Sequence, residues 1–366
     1  MRKDAISKQT AAKIEKLAET VLKTVKGGKN PFFEIPVRSL ANVNFSEKKR
    51  LIELGNQKQK RFFFNVSMAK KFMQTFLISD ACKELIESGK TTSIRDLYYV
   101  TKHTIGDTKE NTFDEQDESD PIIEDLEVTV DALREELHLF ASRKGSMVGP
   151  ITIVDSGDTI DLRRMGSGGW AVPSIVEENI ITFKKHEAKY ILLIEKDAVW
   201  TRFNEDKFWK RDSCIIIQGG GQPPRGVRRL VQRLHKELKL PVYVLVDNDP
   251  WGFYIYSVMK QGSINLAYES MRMAVPDARF VGLSSFDKDK YKLPNNVAIK
   301  MDDGDNSRAK QMLAYQWFKA AHWQREIQEM VRSGVKFELE ALSRRGISFI
   351  TEEYLPKKLK DRDWLE

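Results

Sequence analysis

The sequence predicts an α/β protein in which a helical domain with a β-ribbon precedes a larger domain built on a parallel β-sheet. Two observations lead to this prediction. Over residues 69–142, three stretches place apolar residues at helical spacing. After residue 151, continuous apolar strands alternate with amphipathic helices, as in parallel sheets whose two faces are covered. We expect three segments: 1–68, 69–150 and 151–366.

Composition narrows the class of protein. The chain has 366 residues, of which 41% are hydrophobic and 31% charged, as in globular proteins with a large core. Its formal net charge of +7 favours a polyanionic partner. Two cysteines, Cys82 and Cys214, are too few for a disulfide framework, and no long apolar run predicts a membrane span or signal peptide. We therefore expect a protein of the cytoplasm.

The segment 1–68 begins with a basic stretch. Its first 30 residues contain eight Lys and Arg against three Asp and Glu, and apolar residues at helical spacing predict a short amphipathic helix that ends at Gly27. Such a helix can cross DNA, dock on a partner or lie solvated on the surface, and the sequence leaves these alternatives open. Aromatic and β-branched residues predict extended structure over 31–68.

Two helices and a short turn follow, in the outline of a helix-turn-helix unit. The first helix runs from Ala69 to a glycine at position 89 that suits a left-handed C-terminal cap. In the second stretch, "SIRDLYYVTKH", Ser93 is the predicted N-cap. A third helix is predicted over 126–142, after an acidic surface loop over 114–127. A β-ribbon over 146–162 would then complete a winged-helix domain.

The paired tyrosines of the second helix fall on different faces. Tyr98 shares the apolar stripe of the helix and is predicted to pack. Tyr99 lies about 100° further round. If the helix continues, its face carries Arg95 and His103, two residues that can bind anions. For a tyrosine taken alone, a half-buried packing role remains the alternative.

Acidic residues end two of the predicted strands in the segment 151–366. Glu195 follows one apolar strand, and Asp247 and Asp249 follow another. Ligands bind at the carboxyl ends of strands in open parallel sheets. If the two strands are neighbours, the three carboxylates converge, and oxygen ligands without His or Cys favour Mg²⁺. The alternative is that each acid caps the helix that follows it.

A run of three glycines at 219–221 lacks the spacing of a nucleotide-binding loop and is interpreted as a sharp turn before a helix that begins near Pro224. Arg225, Arg228 and Arg229 on this helix could contact DNA phosphates or could be solvated.

Four stretches resemble a known family: "RDLYYVTKH", "LLIEKDAVWTRF", "IQGGGQPPRGVRRL" and "LVDNDPWGF". Their order and spacing are similar to those of the A subunit of DNA topoisomerase VI, a type IIB topoisomerase related to the transesterase that starts meiotic recombination. The resemblance implies a CAP-like winged-helix domain and a toprim domain that binds Mg²⁺. It further implies that Tyr99 is the nucleophile with Arg95 beside it, and that Glu195 and Asp247 hold the metal with help from Asp249.

The family also implies an activity and partners. The chain would make transient double-strand breaks in DNA through a 5′-phosphotyrosyl intermediate, and so relax and decatenate DNA. It would act as a homodimer within an A₂B₂ heterotetramer whose B subunit binds ATP. The alternatives are a break-forming transesterase of the meiotic type, a toprim nuclease that needs no tyrosine, and a DNA-binding protein with a degenerate toprim fold.

Overall fold

The structure, a computed structural model, describes residues 2–366, with side chains from residue 5 onward. Met1, where the predicted N-terminal segment begins, lies outside the described residues. The chain divides into two compact units. Unit 1 comprises the chain up to Asn42 together with Leu54–Ser142, and unit 2 comprises Val43–Glu53 and Arg143–Glu366.

Helices and strands occur along the whole chain. The α-helices are α1 (Arg2–Lys26), α2 (Val66–Ser88), α3 (Ile94–Thr101), α4 (Ser119–Thr129), α5 (Asp197–Glu205), α6 (Phe208–Arg211), α7 (Arg225–Leu238), α8 (Pro250–Gln261), α9 (Ser270–Met273), α10 (Asp287–Lys290), α11 (Asp303–Ala314), α12 (Ala321–Ser333) and α13 (Leu355–Asp361). The strands are β1 (Phe32–Pro36), β2 (Val43–Ser46), β3 (Leu51–Leu54), β4 (Lys58–Phe62), β5 (Thr92–Ser93), β6 (Leu139–Phe140), β7 (Ser146–Val148), β8 (Ile151–Asp155), β9 (Asp158–Asp161), β10 (Trp170–Ala171), β11 (Ile181–His186), β12 (Tyr190–Ile194), β13 (Cys214–Gln218), β14 (Val242–Leu245), β15 (Arg279–Gly282), β16 (Ile299–Lys300) and β17 (Val335–Lys336). Within the described chain, no helix is long and apolar enough to cross a membrane.

Unit 1 is a helical unit with short strands. The predicted basic helix is confirmed as α1, which ends before Gly27 but is longer than expected. Its residues Ile14 and Val21 are buried against α2 and the rest of unit 1, whereas Leu22 is exposed. The apolar stripe of α1 is therefore used inside its own unit. The predicted cap at the end of α2 is also confirmed, because Gly89 has a φ of 66°.

The prediction of an acidic loop over 114–127 and a helix over 126–142 is wrong. Helix α4 starts inside the acidic stretch and ends at Thr129. Its apolar residues Ile122, Ile123 and Leu126 are buried in the core of unit 1. Glu127 is buried as well, because its carboxylate lies 3.5 Å from the Arg134 guanidinium. A stretch dense in acids can thus form a helix with a buried apolar face, in which the buried acid, Glu127, has a cationic partner.

Unit 2 is built on a six-stranded sheet in the order β10-β7-β13-β12-β14-β15. The four strands β13, β12, β14 and β15 are parallel, which confirms the predicted parallel sheet, and β7 and β10 extend it in antiparallel fashion. Strands β11, β8 and β9 form a separate antiparallel sheet. Strands of the predicted ribbon thus pair within unit 2, so the winged-helix assignment depends on the helices of unit 1.

The centre of the parallel sheet is the core of unit 2. Every residue of β12 and β14 is buried, and helices α5 and α7 pack against β12. Continuous apolar strands are expected where helices cover a parallel sheet. Because β12 and β14 are adjacent and parallel, their carboxyl ends lie at the same edge. Glu195 comes after β12, and Asp247 and Asp249 come after β14, so both predicted groups of acids lie at that edge.

Candidate active site

Helix α3 carries the paired tyrosines and begins with the predicted cap. The Ser93 Oγ accepts a hydrogen bond from the Asp96 backbone N–H at 3.0 Å and donates to the Asp96 carboxylate at 2.7 Å. The first of these bonds satisfies a backbone donor that would otherwise be unpaired at the start of the helix. Ile94 and Leu97 are buried in the core of unit 1, so the helix orientation is fixed by packing.

The two tyrosines differ sharply in exposure. Tyr98 is 7% exposed and Tyr99 is 60% exposed, which confirms the predicted helix faces. The Tyr98 hydroxyl donates to the Asp114 carbonyl at 2.9 Å and accepts from the Lys102 ammonium at 2.8 Å. The two rings meet edge to face, with 5.0 Å between their centroids. Tyr98 is therefore a packed, hydrogen-bonded residue that supports the exposed Tyr99 ring.

The neighbours of Tyr99 are only partly as predicted. Arg95 is exposed and lies one helical turn before Tyr99 on α3. His103 is exposed too, but α3 ends at Thr101, so the helical spacing that paired His103 with Tyr99 does not apply. The backbone of His103 is instead tied to Thr112, whose N–H donates to the His103 carbonyl at 2.8 Å.

The acids of unit 2 meet at the carboxyl edge of the sheet. Strands β12 and β14 are direct neighbours, with Ile194 opposite Leu245. The Glu195 backbone N–H donates to the Leu245 carbonyl at 3.1 Å, and the Asp247 N–H lies 3.3 Å from a Glu195 carboxylate oxygen. The condition set by the sequence, that the two strands be neighbours, is therefore met.

Burial and mutual repulsion raise the pKa of these carboxyls. For Glu195, burial, Asp247 and Asp249 together raise the pKa to about 7. Burial also raises the pKa of Asp247, to about 6, although hydrogen bonds from Lys196 and Leu339 oppose the rise. Two acids with elevated pKa values at one edge form a centre that a cation would stabilise.

Asp249 serves as a helix cap in this structure. It is the N-cap of α8, and its carboxylate accepts a hydrogen bond from the Gly252 N–H at 2.5 Å. Burial raises its pKa, and this backbone bond opposes the rise. Of the three acids, Asp249 is thus the one to which the alternative of a helix-capping role applies.

Sequence reasoning missed three charged residues beside the acids. The Lys196 ammonium lies 2.8 Å from Asp247, 2.9 Å from Glu340 and 3.4 Å from Glu338. Burial lowers the pKa of Lys196, but its hydrogen bonds to Asp247 and Glu340 outweigh this effect and leave it raised. Lys196 follows Glu195 directly and could have been found there. The two glutamates lie more than 140 positions away, and only the fold brings them to the site.

The glycine run forms the predicted turn at the same edge. The Gly219 N–H donates to the Ile194 carbonyl at 2.7 Å, and the Gly221 N–H donates to the Glu195 carbonyl at 3.0 Å. Gly220 and Gly221 have φ values of 68° and 80°, a region that favours glycine. The turn therefore holds the backbone of Glu195 in place. Helix α7 begins after Pro224, as predicted.

The arginines of α7 are engaged inside unit 2. Arg225 pairs with the buried Glu269, Arg229 lies 2.9 Å from the Glu177 carboxylate, and Arg228 is buried. These contacts supply local partners for Arg225 and Arg229, and burial withdraws Arg228 from solvent, although the sequence had offered all three side chains as DNA contacts. The function proposed below therefore does not depend on these three arginines.

Glu195, Asp247 and Asp249 lie at the carboxyl edge of the sheet, which we call the acidic edge. Their oxygen atoms fit a hard divalent cation. Within the described residues, no group of three or more His, Cys, Asp or Glu is arranged to hold a metal ion, so the acids do not form a closed cage. Mg²⁺ commonly uses one or two carboxylates and retains several waters. The pair Glu195 and Asp247 supplies two carboxylates of this kind without nitrogen or sulfur ligands.

Comparisons with known proteins cover both units. A family model for the toprim domain shared by the A subunit of topoisomerase 6 and Spo11 matches residues 190–359. The model described as "Type IIB DNA topoisomerase" matches residues 70–139, which include α3. A third, "All-beta domain in DNA topoisomerase VI alpha subunit", matches residues 144–187, where β7 to β11 lie.

Whole-chain relatives agree with these matches. The chain is 45% identical to the A subunit of type 2 DNA topoisomerase 6 from Pyrococcus horikoshii, over 95% of this chain and 93% of that protein. It is 42% identical to the protein of the same name from Hyperthermus butylicus, over 99% of this chain and 97% of the other. It is 35% identical to the A3 subunit of DNA topoisomerase 6 from Oryza sativa subsp. indica, over 99% of this chain and 80% of the other. The chain belongs to the family of A subunits of DNA topoisomerase VI, with a toprim domain in unit 2.

Proposed function

We propose that this chain is the DNA-cleaving subunit of an ATP-dependent type IIB topoisomerase and that Tyr99 is its nucleophile. The observation that carries the proposal is the exposed phenol of Tyr99 beside the buried Tyr98, on a helix within the segment that matches the type IIB family model. A nucleophile must reach its substrate, and only the second tyrosine of the pair meets that requirement. Unit 1 would present it in the manner of a CAP-like winged-helix domain.

The proposed reaction is a transesterification. The Tyr99 oxygen attacks a DNA phosphorus, the bond from phosphorus to the 3′ oxygen breaks, and a 5′-phosphotyrosyl ester forms while the phenol proton leaves. The departing oxygen takes up a proton and becomes a 3′-hydroxyl, which can later reverse the reaction. A free tyrosine has a pKa of about 10, so the phenol needs assistance at neutral pH. We propose that Arg95 provides this assistance, because its positive charge would stabilise the phenolate or the charge on the phosphate. His103 is a weaker candidate, for a phosphate contact or for proton handling.

The acidic edge of unit 2 would provide the second half of the active site. Glu195 and Asp247 would hold Mg²⁺, with Asp249 assisting from the start of α8. When bound, the ion would neutralise charge at the scissile phosphate. The raised pKa values of Glu195 and Asp247 support this assignment, because a divalent cation relieves the repulsion that raises them.

The proposed assembly contains two copies of this chain and two B subunits. In this A₂B₂ heterotetramer the B subunit binds ATP, and the tyrosine of each copy of this chain acts with the metal site of the other copy. Two such composite sites would cut the two strands of a duplex, relaxing and decatenating DNA. We place this activity in the cytoplasm, at the nucleoid.

Covalent trapping tests the proposal. The purified chain is incubated with its B subunit, supercoiled DNA, Mg²⁺ and a non-hydrolysable ATP analogue, quenched with detergent, and digested for peptide mapping by mass spectrometry. We expect a nucleotide adduct on Tyr99, absent from Tyr99→Phe and retained by the matched variant Tyr98→Phe. An adduct on Tyr98 would keep the reaction and overturn the assignment of the nucleophile. Cut DNA without attached protein would indicate a toprim nuclease instead.

A further inference from the structure

A single ammonium group lies among three carboxylates at the acidic edge. Lys196 Nζ is 2.8 Å from Asp247 Oδ2, and it also contacts Glu340 at 2.9 Å and Glu338 at 3.4 Å. The Lys196 side chain is 24% exposed, so it is largely withdrawn from solvent, while the two glutamates are about half exposed. Lys196 therefore joins the buried acid of the proposed metal site to two acids at the surface.

The segment that carries these glutamates is fixed to the metal-binding loop by its backbone. The Asn248 N–H donates to the Phe337 carbonyl at 2.8 Å, and the Phe337 N–H donates to the Asn248 carbonyl at 3.0 Å. The Leu339 N–H donates to Asp247 Oδ1 at 2.8 Å. Glu338 and Glu340 flank Leu339, so these bonds hold both carboxylates beside Lys196.

Both oxygens of Asp247 are engaged, one by the Leu339 N–H and the other by Lys196. A divalent cation that binds Asp247 must therefore share or displace the ammonium, since like charges at such distances repel strongly in a partly buried site. A displaced ammonium would still have Glu338 and Glu340 within reach. Lys196 can thus leave Asp247 without becoming an unpaired charge.

We infer that Lys196 is a positioning residue that sets the cation affinity of the acid pair: its ammonium competes for Asp247, and Glu338 and Glu340 hold it when a divalent cation binds. This inference rests on the proposed function, because it takes Glu195 and Asp247 as metal-binding residues. It assigns a role to three side chains outside the proposed metal ligands.

Mn²⁺ binding to the full-length chain without DNA tests the inference, with free Mn²⁺ measured by electron paramagnetic resonance. Lys196→Met is expected to tighten Mn²⁺ binding by about tenfold, because the competing charge is removed. The surface pair Glu338→Gln with Glu340→Gln is expected to weaken binding by about threefold, because Lys196 then remains on Asp247. Lys210→Met, an exposed lysine of α6, is the matched control and should leave affinity unchanged.

A combined variant separates competition from a general charge effect. If the glutamates act through Lys196, adding both Gln substitutions to Lys196→Met should leave affinity at the value of Lys196→Met alone. Additive changes would overturn the link between them. The glutamate pair keeps the test decisive if Lys196→Met folds poorly, since unchanged affinity in that pair would also overturn the inference.

Asp247→Asn distinguishes this inference from the proposed function. Loss of Mn²⁺ binding in Asp247→Asn together with unchanged or weakened binding in Lys196→Met would overturn the inference alone. Full Mn²⁺ binding in Asp247→Asn would overturn the proposed metal site, and the inference with it. Loss in Asp247→Asn with tighter binding in Lys196→Met would support both.

Discussion

At the scale of single residues, one position along α3 separates a packing residue from a candidate nucleophile. Tyr98 is held by hydrogen bonds to Asp114 and Lys102, whereas Tyr99 extends toward solvent from the next position. The difference arises because successive helical residues point about 100° apart. Loss of the Tyr98 hydroxyl should therefore lower stability and leave cleavage intact. Loss of the Tyr99 hydroxyl should abolish cleavage and leave stability intact.

We expect Tyr98→Phe to lower the free energy of unfolding by about 1 kcal/mol, because its buried hydrogen bonds are lost. Tyr99→Phe should leave stability near that of the wild type, because the phenol is exposed. Urea denaturation followed by circular dichroism measures both values. A large loss of stability in Tyr99→Phe would mean that the Tyr99 hydroxyl has a structural role.

The raised pKa of Glu195 predicts a pH dependence of stability without metal. Its folded-state pKa of about 7 exceeds the ordinary value of 4.5, so the folded state binds more protons between these values and loses stability as pH rises through the window. Glu195→Gln removes this dependence. When the free energy of unfolding is measured in EDTA, Glu195→Gln should be no more stable than the wild type near pH 4.5. Its additional stability should grow toward pH 7 and stay constant above pH 7.

Glu178→Gln, an exposed acid of unit 2, is the control for that experiment and should show no such trend. Mg²⁺ should then stabilise the wild type more at pH 8 than at pH 5.5, because deprotonated carboxylates bind it. An equal stabilisation at both pH values would count against Glu195 as a ligand.

At the scale of elements, α8 has at its start an N-cap residue that belongs to the proposed metal site, and near its end a buried lysine. Asp249 begins the helix, and Lys260 near its end is buried, where its ammonium donates to the Ala278 carbonyl at 2.8 Å. The two ends of one helix thus allow separate tests of capping and of charge burial.

Asp249→Asn should retain stability, because asparagine caps a helix as well as aspartate, whereas Asp249→Ala should lose about 1 kcal/mol. Thermal unfolding of both variants checks this expectation. If Mn²⁺ affinity falls in Asp249→Asn while stability is kept, Asp249 also assists the metal. Equal destabilisation in the two variants would show that the negative charge, rather than the cap, stabilises α8.

Burial lowers the pKa of Lys260 from 10.5 to about 8. The unfolded state therefore binds more protons between these values, and the wild type gains stability as pH rises through them. Lys260→Met should be more stable than the wild type by ~2 kcal/mol at pH 7, and this advantage should shrink toward pH 10.5. Tyr256 still donates to the Ala278 carbonyl at 3.0 Å, so the acceptor stays paired. Denaturant titrations over this pH range provide the measurement.

At the scale of the whole molecule, the tyrosine and the acids belong to different units of the chain. A proposed dimer in which each tyrosine acts with its partner's metal site can be tested by mixing defective chains. A heterodimer of Tyr99→Phe and Glu195→Gln then retains one intact composite site. It should nick one strand, whereas an arrangement within single chains would leave no intact site.

Nicking is measured on supercoiled DNA by agarose electrophoresis after detergent and protease treatment, with each variant alone as the control. Double-strand breaks in the mixture would point to contamination of a preparation by wild-type chains. An absence of both nicks and breaks, with the heterodimer verified by differential tags, would contradict the proposed arrangement in trans.

Several features could be predicted from sequence because they depend on neighbouring residues. The Ser93 cap, the faces of the two tyrosines and the parallel strands are set by local hydrogen bonding and by apolar spacing. The sequence did not predict the limits of α3 and α4: His103 lies beyond the end of α3, and the buried Glu127 of α4 lies beside Arg134. Helix ends and buried charges depend on partners that spacing does not identify.

The sequence alone determined the family resemblance, the parallel sheet and the acids at its strand ends. Tertiary structure decided that β12 and β14 are neighbours, that Arg225 and Arg229 of α7 have partners within unit 2, and that Glu338 and Glu340 reach Lys196. The physical reason is that periodicity reports which side of an element is buried, whereas charge pairing depends on which distant elements the fold brings within a few ångströms.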